Sequence, residues 1–130
     1  MPWEITIRAA HGTPLGERDV VRRHIADAFP GVQFRWEPSG PEKITAFRVA
    51  GHEFPDIIRE HFERTPSKEQ ADFEGDEFSV RFYLGVDATL YSIDAEVRGD
   101  TKRVFPYLER LVSQSGWVVA ECGCDEPFLE

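Results

Sequence analysis

Two runs of strict alternation in the second half of the chain constrain its fold more than any other feature. Phe78, Val80, Phe82 and Leu84 alternate with Ser79, Arg81 and Tyr83. After Gly85-Val86-Asp87, residues Tyr91, Ile93, Ala95 and Val97 alternate with Ser92, Asp94, Glu96 and Arg98. A period of two puts each set on its own face of an extended strand, so these residues predict a hairpin with one apolar and one polar face. A sheet of that kind is covered on one side only, and helices elsewhere in the chain must provide the cover.

The pattern of the remaining residues predicts those helices and further strands. Trp3, Ile5 and Ile7 alternate with polar neighbours and predict a first strand. Val21, Ile25, Ala28 and Phe29 share one face of a helix that Pro30-Gly31 ends, with Arg18, Arg22 and Arg23 away from that face. Thr13, ahead of Pro14, and Gly16 are its two possible starts. Val32, Phe34 and Trp36 put three large residues on one side of a second strand. Ser39-Gly40-Pro41-Glu42 has capping-box spacing and Gly51 suits a helix end, so a short helix is expected despite the strand-prone Ile44, Thr45, Phe47 and Val49. Phe54, Ile57, Ile58, His61 and Phe62 fall on one face of another helix, stopped by Thr65-Pro66-Ser67 and followed by a polar loop to Gly75. The last helix begins after Thr101, tolerates Pro106 in its first turn, buries Val104, Phe105, Leu108, Leu111 and Val112, and ends at Gly116 before a strand from Trp117 to Ala120. This order predicts an α+β two-layer open sandwich, mainly antiparallel, with helices on one face and a ferredoxin-like element order as the nearest analogy. At 130 residues the chain is expected to be a single domain, 1–130.

A formal charge of −9 excludes broad binding to nucleic acid or anionic membranes, which needs clustered Lys and Arg. The first residues lead straight into a strand pattern without a basic, apolar leader, and no apolar run approaches the ~18 residues of a membrane span. A cytoplasmic protein is expected. Cys122 and Cys124 are too close in sequence to build a disulfide framework, and their one-residue spacing is short for structural zinc, so one thiol is expected to be buried as a small apolar group. His52-Glu53 lacks the second histidine of a zinc protease, since Asp56 stands there. Asp72, Glu74 and Asp76 begin like a calcium loop, but Glu77 replaces its glycine and Tyr83 its final glutamate. There is no nucleophile elbow and no phosphate-binding glycine motif. No catalytic residue, metal or cofactor is expected.

Charge is unevenly spread. Residues 53–77 hold nine acids against three bases, while residues 1–52 hold six against seven. Glu69, Asp72, Glu74, Asp76 and Glu77 are therefore the candidate docking surface for a basic protein partner. The polar sheet face, with Arg81, Tyr83, Asp94, Glu96 and Arg98 beside Thr6, Arg8 and Arg35, is the alternative, a ligand or enzyme site to which His61 would contribute. In size, acidity and α+β order the chain resembles bacterial immunity and antitoxin-like inhibitors, a resemblance that implies a non-catalytic protein blocking a basic toxin or nuclease.

Overall fold

The computed structural model describes residues 2–130. Its elements are β1 (Trp3–Ala9), β2 (Gly16–Glu17), α1 (Arg18–Ala28), β3 (Gln33–Trp36), α2 (Gly40–Val49), α3 (Asp56–Glu63), β4 (Glu69–Glu74), β5 (Phe78–Gly85), β6 (Thr89–Leu90), β7 (Ser92–Gly99), a 3-10 turn (Thr101–Val104), α4 (Phe105–Ser115) and β8 (Trp117–Glu121). Six strands form one open antiparallel sheet in the order β3-β4-β5-β7-β1-β8, and the short β2 and β6 pair separately. Elements β1, α1, β5, β7, α4 and β8 follow the ferredoxin-like order, with β3, α2, α3 and β4 inserted before β5.

Helices α1 and α4 pack on each other and cover the apolar face of the sheet. The expected stripe of α1, Val21, Ile25, Ala28 and Phe29, is fully buried. Phe29 is a hub of this core, its ring lying 5.0 Å from Phe82, 5.3 Å from Phe73 and 5.4 Å from Tyr107. From the sheet, Ile5, Ile7, Val80, Phe82, Ile93, Ala95 and Val97 face the helices, as their alternation predicts, but Tyr91, expected with them, precedes β7 and is exposed. Helix α4 ends at Gly116 in the left-handed region, φ 74°, and the Trp117 that follows is buried. Helix α2 carries the full capping box between Ser39 and Glu42.

Four further expectations need correction. The start of α1 uses neither Thr13 nor a glycine cap: Gly16–Glu17 pair with Thr89–Leu90, and the helix begins at Arg18. Helix α3 buries none of its residues, and Ile57 is 85% exposed, because α3 packs on α2 beside the sheet rather than on the core. The segment after Thr65 is not a loop throughout, since Glu69–Glu74 form β4 between β3 and β5. Its core-facing positions are Glu69, Ala71 and Phe73, so an acid stands where the alternation calls for an apolar residue. Finally, Arg18 and Arg22 are not remote from the inner face of α1. They stand one turn apart on it and both reach Glu69.

Candidate functional site

Strand β4 carries the first acids of the candidate docking surface into the body of the molecule. Glu69 is 2% exposed, bonded to Arg18 at 2.8 Å and to Arg22 at 2.6 Å, so it is withdrawn from the surface. The pairing register slips between Glu69 and Gln70, which face Gly85 and Tyr83, and both residues are buried there. Arg18 extends the cluster by donating to the Asp87 carbonyl at 2.5 Å and lying 5.1 Å from the Trp36 ring centre. A carboxylate this deep is tolerated because two cations meet it. The bond to Glu69 in turn raises the Arg22 guanidinium above its ordinary value.

Asp72 points to the opposite, wet face of the sheet. It accepts from Arg81 at 2.7 Å and from Arg35 at 2.9 Å, while Arg35 also donates to Gln70 at 2.8 Å. Burial pushes the Asp72 carboxyl up, but the hydrogen bonds from Arg81 and Arg35 outweigh it and hold the group below its ordinary value. Two strands away, Glu96 accepts from Tyr83 at 2.8 Å and from Arg98 at 2.6 Å, and these bonds hold it low as well. Burial, with help from the bond to Glu96, raises the Tyr83 phenol. Asp94 accepts from Thr6 at 3.0 Å, and Arg8 donates to the Asp125 carbonyl. Hence Arg81, Glu96 and Arg98 come together, lining with Asp72, Glu74 and Ser79 a depression of about 400 Å³, and Tyr83 joins them through its bond to Glu96. Apart from Glu74, the charged walls of the depression are already in ion pairs. His61 is exposed on α3 and does not line it.

The turn from β4 to β5 is different. Asp76, Glu77 and Asp100 all reach the same guanidinium, Arg103, at 2.8, 3.2 and 3.4 Å. Glu74 is exposed and, among the described residues, has no cation within salt-bridge distance. Even with Lys102 and Arg98 counted beside Arg103, the four carboxylates Glu74, Asp76, Glu77 and Asp100 outnumber the local bases. The turn is fastened by bonds from the Gly75 amide to the Phe78 carbonyl and from the Asp100 amide to the Glu77 carbonyl, both 2.9 Å. Gly99 permits that approach, because a Cβ there would lie 2.4 Å from the Glu77 carbonyl oxygen. Glu77 itself takes φ 64°, the left-handed region that non-glycine residues avoid.

The partners that organise these acids, Arg18, Arg22, Asp100 and Arg103, were not apparent as a group from the sequence. One signal was present, since Arg18 and Arg22 share the spacing of Val21 and Ile25. The other was not, because Asp100 and Arg103 are far from Asp76 in sequence and only the fold brings them there. Both cysteines are exposed, against the expectation of one buried thiol, and Cys122 Sγ lies 3.3 Å from the Thr6 hydroxyl. Among the described residues no group of three or more His, Cys, Asp and Glu side chains is arranged to hold a metal, and no helix is long and apolar enough to cross a membrane. Comparison with protein-family models, with curated proteins and with solved structures finds no match for this chain.

Proposed function

We propose that this chain is a small, non-catalytic interaction protein that presents the acidic turn between β4 and β5 to a basic partner protein. The observation that carries this reading is the imbalance of charge at that turn: three carboxylates share Arg103 and Glu74 stands alone. A partner's Lys or Arg entering there finds acceptors that the fold has left under-neutralised, and long-range attraction speeds the encounter. The left-handed backbone at Glu77 costs about 1 kcal/mol relative to a glycine, yet the position presents an acid. An inhibitor that covers the basic surface of a toxin or nuclease is the sharpest form of this proposal. It rests on the charge pattern and on the resemblance in size and acidity.

The depression lined by Asp72, Glu74, Arg81, Glu96 and Arg98 favours a second reading, a site for a small polar ligand. Such a ligand has to displace existing ion pairs to bind, which makes this the weaker of the two.

The test is affinity capture from native lysate at low and high salt, followed by association kinetics with whatever is captured. The proposal expects a basic protein whose association slows as salt rises. It expects the combined Glu74→Gln, Asp76→Asn and Glu77→Gln variant to lose about tenfold in on-rate with little change in off-rate. If that variant captures the same partners with unchanged kinetics, these acids only solvate the surface.

A further inference from the structure

The two edges of the sheet are finished differently. Along β8 the segment that follows folds back: the Val119 amide donates to the Leu129 carbonyl at 2.9 Å, and the Phe128 and Leu129 amides return to the Val119 carbonyl at 2.9 and 3.2 Å. That closes the middle of the edge. Along β3 nothing equivalent happens. Among the described residues, no backbone hydrogen bond reaches the outer side of Gln33–Trp36.

The pairing of β3 with β4 tells which groups are left over. The Glu37 amide donates to the Lys68 carbonyl at 2.8 Å, which makes that a hydrogen-bonded pair. Bonded and non-bonded pairs alternate along an antiparallel ladder, so Arg35–Gln70 and Gln33–Asp72 are bonded while Trp36–Glu69 and Phe34–Ala71 are not. The amides and carbonyls of Phe34 and Trp36 therefore point away from the sheet. The side chains on that strand's apolar side are also incompletely covered: Val32 and Phe34 are half-buried, and Trp36 is 48% exposed.

We propose that this edge pairs antiparallel with β3 of a second copy of the chain, centred on Phe34. In that register the two Phe34 residues exchange a pair of hydrogen bonds, and each Trp36 amide reaches the Val32 carbonyl of the other copy. Val32 lies opposite Trp36, which joins apolar surface to apolar surface on one face of the continuous sheet. On the other face Gln33 lies opposite Arg35, with no like charges in contact. The competing two-fold register, centred on Arg35, sets two guanidinium groups directly opposite each other and is disfavoured. The location suits self-association in a chain of charge −9, because residues 1–52, which include this edge, hold seven bases against six acids. Arg35 shares Asp72 with Arg81, so a strongly acidic foreign strand finds a single, partly matched guanidinium here, whereas a second copy matches side chain for side chain. Association also has a salt signature opposite to that of the acidic turn. Screening the overall negative charge strengthens the dimer and weakens the docking of a basic partner.

Sedimentation velocity from low-micromolar to near-millimolar protein, at low and moderate salt, tests the pairing. The expected mass rises from 14.9 kDa to twice that value, more readily with salt, while exchange of the Phe34 and Trp36 amides slows with concentration. Trp36→Lys should weaken association about tenfold or more. Gln33→Glu, facing Arg35 of the other copy but beside Asp72 of its own β4, should tighten it about twofold. Gln33 is exposed and its side chain makes only a 3.4 Å bond to the Gly31 carbonyl, so Gln33→Glu tests the register even if loss of the Arg18–Trp36 contact disturbs the first variant. A chain that stays at 14.9 kDa throughout overturns the proposal, and so does a dimer whose strength Gln33→Glu leaves unchanged.

Discussion

Glu69 and Asp72 are each held by two guanidinium groups, whereas Glu74 meets none and Asp76 and Glu77 share Arg103 with Asp100. These five acids lie within nine residues of sequence and look alike there, yet they divide at the end of β4 into two populations. The strand half has its charge consumed by the fold: Glu69 fastens α1 to the sheet, and Asp72 ties β3 to β5 across β4. The turn half has charge to spare. A count of acidic residues therefore overstates the surface that a partner meets, and the position of each acid relative to arginines from other elements decides what is left.

The largest effect that would break this contrast lies at Glu69. Glu69→Ala leaves Arg18, 11% exposed, and Arg22 facing each other without their carboxylate. Unfolding by denaturant should show a loss on the order of 3 kcal/mol, the scale of breaking a buried pair from one side. A loss of only a few tenths would mean that Glu69 is as dispensable as the acids of the turn. Asp72 comes next, because it is 29% exposed and its partners are about half exposed. Asp72→Asn should cost about 1 kcal/mol near neutral pH. The pH dependence sharpens this prediction. Asp72 titrates lower in the folded chain than in the unfolded one, so its contribution is present above about pH 4, the unfolded value, and is lost as pH falls through the lower folded value. The difference between wild type and Asp72→Asn should therefore shrink on acidification in that window. A difference that stays constant there would assign the effect to something other than the charge.

How far this division could be read from the sequence follows from how far each residue's partners lie. The capping box of α2, the hairpin of β5 and β7, the stripe of α1 and the glycine end of α4 all depend on neighbours within a few positions, and they were legible. Strand β4 was not, because Glu69 occupies a core-facing position that only arginines on α1 make tolerable, and Gln70 and Asp72 complete what reads as a polar run. The short pairing of β2 with β6 has too few residues to show a period. Helix α3 fails in the opposite sense. Its apolar stripe is clear, but periodicity says only that a face is apolar, and Ile57 on that face is left in solvent. The polar sheet face was assembled correctly as far as Arg81, Tyr83, Glu96 and Arg98 are concerned, since strand alternation alone places them together. The grip of Arg35 and Arg81 on Asp72 needed β4 to be recognised as a strand.

If the fold does not need the acids of the turn, the combined Glu74→Gln, Asp76→Asn and Glu77→Gln variant unfolds with nearly the free energy of the wild type. Salt bridges at this turn are exposed and are shared by several acids around one cation, so their removal should shift stability by no more than about 0.5 kcal/mol, with relief of repulsion offsetting the lost pairs. An unfolding free energy within that range of the wild type is the predicted result. A loss of about 2 kcal/mol or more would contradict the account, for it would place these carboxylates, like Glu69, among the groups that hold the molecule together.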